Sequence, residues 1–108
     1  MPKLICIVEG KELSNAAEDF RAARRVEQYR VSDAALYIPE GFRWNYIPFD
    51  SIDHVEESFR VISAGHCVPV REKRPELDLT VGGKTFHLQL EKQSSMQAVL
   101  DALNQARA

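Results

Sequence analysis

The stretch "ELDLTVGGKTFHLQL", residues 76–90, constrains the fold of this chain more than any other. Apolar and polar residues alternate on both sides of Gly82-Gly83, which is the pattern of strands with one buried face. Two consecutive glycines supply the positive φ angles that a two-residue hairpin turn requires. The sequence therefore predicts an antiparallel hairpin here, and it commits this part of the chain to a sheet.

Helical spacing follows the hairpin. The apolar residues of this segment recur at i, i+3, i+4 and i+7: Met96, Val99, Leu100 and Leu103. This spacing predicts a helix over about 95–107 that lays one apolar face on the sheet. Ser94 and Gln97 have the spacing of a capping box, which predicts the start of that helix.

The first third of the chain contains a second helical pattern. A short apolar run predicts a strand over residues 3–9, ended by Gly10. Apolar positions between Leu13 and Arg24 then recur at helical spacing, and two acidic residues lie where the first turn would be. We expect a helix over 15–25, followed by a strand that begins near Arg25.

The middle of the chain has the pattern of a sheet. Short β-rich runs over 26–31 and 34–40 are separated by Ser32-Asp33, which suits a tight turn. Pro48 cannot donate to a strand ladder and predicts a strand end or an edge. Two prolines in 66–76 predict a loop or a broken edge strand there.

These elements predict one α+β domain over residues 1–108. The domain would have about five to seven antiparallel strands, a closing C-terminal helix and an additional N-terminal helix. A net charge of −2 excludes a whole-protein attraction to nucleic acid or anionic membrane, so such a partner would need a local basic patch. The apolar run at Leu4–Val8 is too short to cross a bilayer, and we expect a cytoplasmic protein with reduced Cys6 and Cys67.

Three segments resemble the bacterial pleckstrin-homology-like and GRAM-type domains: "YRVSDAALYIPEG", "YIPFDSIDHVEES" and "LDLTVGGKTFHLQLEKQSSMQAVLDAL". The residues on the family's strand positions are Ser32, Asp33, Leu36, Tyr37, Ile47, Pro48, Ile52 and Val55. The resemblance implies a partly open β-sandwich or barrel closed by the last helix, which members use as a scaffold for protein or lipid contacts. The helix at 15–25 departs from the pattern, and the basic signature of phosphoinositide-binding members is absent from the sequence. The segment "IPFDSIDHVEE" also resembles a strand of the LytTR class of DNA-binding domains, whose late basic and aromatic residues have no counterpart here.

Basic and aromatic residues are the candidates for contact with a partner or an anion. They are Arg21, Arg24, Arg25, Arg43, Trp44, Tyr46, Arg71, Lys73 and Arg74. If Ile47 points into the core, alternation along the strand puts Trp44 and Tyr46 on the opposite face. We expect the helix at 15–25 to cover these two rings, and the alternative is that they remain open to a partner.

The sequence shows no pattern of catalysis or metal binding. His66 and Cys67 are adjacent, and adjacent side chains in a strand point to opposite faces. His54 and His87 lack the spacing of a metal site, and the acidic run over 50–57 suits an exposed strand face. We expect a non-enzymatic binding or scaffold module without a cofactor. Its expected partner is another protein or a second copy of the chain; the alternative is RNA or DNA, and an anionic lipid is a weaker candidate.

Overall fold

The computed structural model of the chain describes residues 2–64 and 70–107, with side chains described outside 62–64 and 70–72. Eight strands in two sheets and two α-helices make up this part of the chain, so the α+β class is confirmed. In chain order the elements are β1 (Lys3–Cys6), α1 (Ala16–Ala22), β2 (Arg24–Val26), β3 (Tyr29–Val31), β4 (Ala35–Glu40), β5 (Arg43–Pro48), a short 3₁₀ helix (Phe49–Ser51), β6 (His54–Ala64), β7 (Val70–Val81), β8 (Lys84–Gln89) and α2 (Gln93–Arg107).

The first sheet has five strands in the order β1-β5-β4-β3-β2. β1 pairs with β5 in parallel, whereas the other three pairings are antiparallel, so the prediction of antiparallel strands alone is wrong. The predicted count of five to seven strands is also too low. One reason is that the β-rich run over 26–31 is not a single strand. It turns at Glu27, whose φ of 55° is left-handed, so its residues form the end of β2 and all of β3.

The second sheet has the order β6-β7-β8. Its predicted hairpin is confirmed, because Gly82 and Gly83 have φ angles of 57° and 83° and connect β7 to β8. The segment 66–76 was predicted as a loop or a broken edge strand; the loop is wrong for 70–76, which lies in the continuous strand β7, and residues 66–69 lie outside the described part of the chain.

Pro75 lies inside β7 without interrupting the hydrogen bonds between β7 and β6. Its carbonyl oxygen accepts the N–H of Leu90, 3.1 Å away, just past the end of β8. In an antiparallel ladder the N–H and C=O of one residue point to the same neighbouring strand. A backbone N–H at position 75 would therefore point toward Leu90 and away from β6. Its absence in proline leaves the pairing of β6 with β7 unaffected.

Two apolar cores lie on opposite faces of the five-stranded sheet. The larger core joins the inner faces of both sheets to α2 through residues such as Leu36, Ile47 and Leu79. The smaller core lies under α1 and contains Phe20, Ala35, Tyr37 and Tyr46. The N-terminal helix is thus confirmed, but it is shorter than predicted: extended backbone at Ala23 (φ −68°, ψ 138°) ends it before β2 begins.

The C-terminal helix is confirmed, but its start is not set by the predicted capping box. The helix begins at Gln93, and the side-chain amide of Gln97 donates to Asp101 on the next turn. The carboxylate of Glu27, from the β2–β3 turn, instead accepts the backbone N–H of Glu91 at 2.8 Å and of Lys92 at 3.2 Å. This long-range contact fixes the segment that leads into α2.

A second contact strengthens the same junction. The Tyr29 hydroxyl donates to the carbonyl oxygen of Gln89 at 2.9 Å, and burial of the ring raises the pKa of the Tyr29 hydroxyl. Tyr29 is on β3 and Gln89 is the last residue of β8. The turn between β2 and β3 is therefore bonded to the end of the other sheet by two independent side chains.

We expect Glu27→Ala to lower the free energy of unfolding by about 1–3 kcal/mol, because two backbone N–H groups lose their acceptor. Glu27→Gly removes the same acceptor but relieves a left-handed conformation that costs other residues about 1 kcal/mol, so it should be less destabilising than alanine. Urea denaturation measures both variants. Glu9→Ala, at an exposed glutamate, is the control. Equal stability of Glu27→Ala and the unaltered protein would contradict the structural role of this carboxylate.

Candidate functional site

The first predicted basic cluster is divided between two faces of the sheet. Arg24 and Arg25 are neighbours on β2, so their side chains point in opposite directions. The Arg24 guanidinium donates to the carbonyl oxygen of Ala98 on α2 at 3.4 Å. Arg25 lies directly opposite Arg30 of β3, on the face that α1 covers. Arg21 is exposed in the last turn of α1.

Both predicted aromatic residues lie on the face of the sheet that carries α1, and the expected cover by this helix is complete for Tyr46 but partial for Trp44. The ring of Phe20, on α1, packs edge-on against Trp44 at a centroid distance of 5.2 Å and against Tyr37 at 5.1 Å. Tyr46 is only 3% exposed, and its hydroxyl oxygen accepts the backbone N–H of Leu13. Burial raises the pKa of the Tyr46 hydroxyl. Tyr46 is therefore part of the smaller core, whereas Trp44 remains half-buried at its margin.

At that margin the chain forms a cleft of about 330 Å³, which we call the basic–aromatic cleft. Its lining residues are Arg25, Gln28, Arg30, Pro39 and Trp44. The Arg30 guanidinium carbon lies 4.6 Å from the centroid of the Phe20 ring and 5.7 Å from that of Trp44. The Nε of Arg25 donates to the carbonyl oxygen of Glu27 at 3.1 Å. Two of the predicted site residues, Arg25 and Trp44, thus meet in one cleft.

The remaining predicted residues lie elsewhere. Arg43 pairs with Glu40 at 3.2 Å, at the β4–β5 turn. Lys73 and Arg74 are on β7, in the other sheet, and Arg74 pairs with Glu91. Arg71 is on the same strand, but its side chain lies outside the described part of the chain. The two basic clusters that the sequence suggested are therefore on different sheets.

Beyond the end of β8, strands β6 and β7 continue as a two-stranded ribbon over residues 59–64 and 70–75, which we call the β6–β7 arm. The arm carries exposed apolar side chains: Phe59 is 58% and Val61 53% exposed. The ammonium of Lys73 lies 4.6 Å from the centroid of the Phe59 ring. The arm contributes to the elongated shape of the molecule, whose principal extents are 53 × 30 × 24 Å.

The outer edge of β6 has no partner strand in the part of the chain that the structure describes. The bond from Leu90 to Pro75 shows that odd-numbered residues of β7 direct their backbone groups to β8. Even-numbered residues of β7 therefore bond to β6, and their register partners there are also even-numbered. It follows that Glu57, Phe59 and Val61 direct their N–H and C=O groups out of the sheet edge.

A polar cluster lies on the outer face of the second sheet. The Nδ1 of His87 is 2.7 Å from a carboxylate oxygen of Asp78, and Glu76 contributes a third group, with one ligand-type atom from each within 4.8 Å of the others. The Ser58 hydroxyl lies 3.4 Å from Asp78 and 3.5 Å from Glu76. The sequence search for metal-ligand spacing missed this cluster, because cross-strand register brings Asp78 opposite His87. The position of the Gly82-Gly83 turn was the signal that could have found it.

A second polar cluster joins α1 to the β3–β4 turn. One carboxylate oxygen of Asp19 accepts the hydroxyls of Ser32 and Tyr37, both at 2.6 Å. The Ser32 oxygen also accepts the backbone N–H groups of Ala34 and Ala35, at 3.0 and 2.9 Å. Burial, and then the bond to Asp19, raise the pKa of the Tyr37 hydroxyl far above its usual range. This arrangement orders the turn and leaves the Ser32 oxygen fully engaged.

The two cysteines and the adjacent pair His66-Cys67 are the remaining residues that the sequence singled out. In the described residues, the Cys6 thiol donates to the carbonyl oxygen of Val8 at 3.2 Å and is half-buried. The pair His66-Cys67, considered as a catalytic candidate, lies outside the described part of the chain. No helix among the described residues is long and apolar enough to cross a membrane.

Comparison with known proteins gives no relative from which a function could be inferred. Searches against protein-family models, curated proteins and solved structures find no significant match to the chain. The functional argument therefore depends on the surfaces that the structure itself presents. Two of them stand out among the described residues: the outer edge of β6, which has no partner strand, and the basic–aromatic cleft.

The contribution of the His87–Asp78 pair on the second sheet should depend on pH. The hydrogen bond and the charge of Asp78 raise the pKa of the His87 imidazole above its usual 6.5. The stabilisation from this pair is fully present below the unfolded pKa and is lost as the pH rises through the raised folded pKa. We expect an NMR titration to give a His87 pKa above 6.5 and Asp78→Asn to lower it.

The matched control for this titration is Glu56→Gln, because Glu56 lies opposite Asp78 on the other neighbouring strand. It removes a carboxylate from the same row of residues without touching the His87 bond. A His87 pKa that falls as much in Glu56→Gln as in Asp78→Asn would contradict a specific pair.

Proposed function

We propose that this protein is a non-enzymatic binding module that self-associates through the free edge of β6. The supporting observation is that Glu57, Phe59 and Val61 direct backbone donors and acceptors out of that edge, beside two exposed apolar side chains. Unpaired strand edges are templates for pairing with another chain, and proteins usually block them. In the described part of this edge, Glu57, Phe59 and Val61 are exposed residues.

A second copy of the chain is the occupant that the edge fits best. An antiparallel pair of identical strands is related by a two-fold axis, so each donor of one copy meets an acceptor of the other. Such strand addition derives its affinity from main-chain hydrogen bonds and its specificity from the side chains beside them. Pairing of β6 with β6 of a second copy would join two three-stranded sheets into one of six strands.

The side chains of the arm favour a pairing centred on Phe59. In that register Phe59 lies opposite the same residue of the second copy, and Glu57 lies opposite Val61 of the second copy. Cross-strand aromatic pairs contribute about 0.2–1 kcal/mol each relative to alanine pairs. The two half-exposed phenylalanine rings would then cover each other on one face of the joined sheet.

The proposal has two further parts, which concern the fold family and the location of the protein. The arrangement of two sheets closed by a C-terminal helix, with a glycine hairpin before that helix, supports a pleckstrin-homology-like scaffold. The parallel β1 and the additional strand are departures from that family's pattern. A cytoplasmic location and the absence of catalysis belong to the same proposal.

We expect the protein to elute as a dimer, with a light-scattering mass of twice 12.3 kDa, at concentrations of about 100 µM. Phe59→Ser should shift it to the monomer, because it removes the central aromatic pair of the interface. Val61→Pro should do the same, because it deletes an outward N–H without removing a bond between β6 and β7. Size-exclusion chromatography with light scattering measures all three proteins.

The matched control is Phe42→Ser, which removes a fully exposed phenylalanine from the β4–β5 turn, away from the arm. This variant should remain dimeric. A monomeric mass for the unaltered protein at high concentration would refute the proposal. A dimer that survives both arm variants, with folding confirmed by circular dichroism, would refute the edge as its interface.

A further inference from the structure

We propose that the basic–aromatic cleft binds a ligand that carries a phosphate group next to a planar ring, as a nucleotide does. This goes beyond self-association, since the cleft is on the first sheet and the arm is on the second. The relevant chemistry is found both in free nucleotides and in single-stranded nucleic acid. The structure supports this inference in three steps: uncompensated charge, fixed guanidinium groups and an adjacent indole ring.

The charge of the cleft is uncompensated. Arg25 and Arg30 are direct cross-strand partners, and like charges in that arrangement destabilise a sheet. Among the described residues, neither guanidinium pairs with a carboxylate, and none of the residues lining the cleft is acidic. Other arginines of the chain do pair with carboxylates: Arg43 contacts Glu40, and Arg60 contacts Glu91. An anion between Arg25 and Arg30 would relieve their repulsion.

The two guanidinium groups are also held in place. The rings of Phe20 and Trp44 fix the Arg30 group through cation–π contacts, and the carbonyl oxygen of Glu27 fixes the Nε of Arg25. The Glu27 turn is itself anchored by its carboxylate to the start of α2. A planar guanidinium matches phosphate with two parallel hydrogen bonds, and ordering it in advance lowers the cost of binding.

The cleft has a surface for a ring beside this charge. Trp44 lines the cleft and is half-buried at the margin of the smaller core. Planar bases stack on aromatic side chains, and every base has a face that can do so. The exposed amide of Gln28, at the rim, offers donors and an acceptor to the edge of a base. The volume of about 330 Å³ is at the lower end of ligand pockets and suits one nucleotide unit.

The geometry of the cleft limits recognition to one nucleotide of the ligand. Arg24 points to the opposite face of the sheet, and Lys73 and Arg74 are on the other sheet. Among the described residues, Arg25 and Arg30 are the only basic residues that line the cleft. The net charge of −2 adds no general attraction for a polyanion. A nucleic acid would accordingly be held at one base and its phosphate.

The experiment uses the fluorescence of Trp44, the chain's single tryptophan. The full chain is titrated at low salt with AMP, with inorganic phosphate and with an oligodeoxyadenylate of about ten nucleotides. We expect AMP to change the emission of Trp44 saturably, and phosphate alone to bind more weakly because it lacks the ring. Arg25→Ala should weaken AMP binding about tenfold, the loss expected for one charge-assisted contact of about 1.4 kcal/mol.

Two further variants complete the design. Arg24→Ala removes an arginine from the same strand but from the opposite face, and it should leave the affinity for AMP unchanged. Arg30→Lys keeps the positive charge beside Phe20 and Trp44 but loses the planar fork, and it should weaken binding. Circular dichroism confirms that each variant is folded. The monomeric Phe59→Ser variant should bind AMP normally, so that failure of self-association and failure of this site are distinguishable.

The outcomes separate the sources of the ligand and test the inference. Tighter, salt-sensitive binding of the oligonucleotide, lost in Arg25→Ala, supports a site for single-stranded nucleic acid. Binding of AMP at least as tight as that of the oligonucleotide supports a site for free nucleotides. The inference is overturned if neither ligand changes the emission at about 1 mM, if phosphate binds as tightly as AMP, or if Arg25→Ala binds normally.

Discussion

The structure depends on the contact between the Glu27 carboxylate and the backbone of Glu91 and Lys92. With the Tyr29 hydroxyl on Gln89, it bonds the first sheet to the end of the second, at the point where α2 must begin. α2 then covers the larger core that both sheets share. The same turn presents its carbonyl oxygen to Arg25, so one anchored turn sets both the start of a helix and the shape of a surface cleft.

The β6–β7 arm follows from a mismatch in strand length. β8 ends at Gln89, so the ladder that it forms with β7 stops at Glu76, whereas β6 and β7 remain paired further along the chain. Near the start of the arm, the side chains of Phe59 and Met96 line a shallow cleft of about 350 Å³. Proteins commonly protect such edges with lysine or proline. Here Pro75 faces the β8 side and Lys73 lies beside the Phe59 ring, and both residues belong to β7 and not to the outer edge of β6.

The features that the sequence predicted are those with local causes. The Gly82-Gly83 hairpin follows from turn chemistry, and the shared face of Trp44 and Tyr46 follows from strand alternation. The features that it did not predict depend on contacts between distant residues. Glu27 adopts a left-handed turn whose carboxylate is satisfied 64 positions away, and β1 pairs in parallel with a strand 40 positions later. The cross-strand arginine pair of the cleft appears only once that turn is known.

Residue-resolved amide hydrogen exchange in β6 tests the central claim, that the outer edge of this strand pairs with a second copy. The account predicts that even-numbered amides such as Ser58 and Arg60 are protected at every protein concentration, because they bond to β7. The amides of Glu57, Phe59 and Val61 should be protected at high concentration and should exchange rapidly on dilution. Rapid exchange of these three amides at all concentrations, with their even-numbered neighbours protected, would contradict the account.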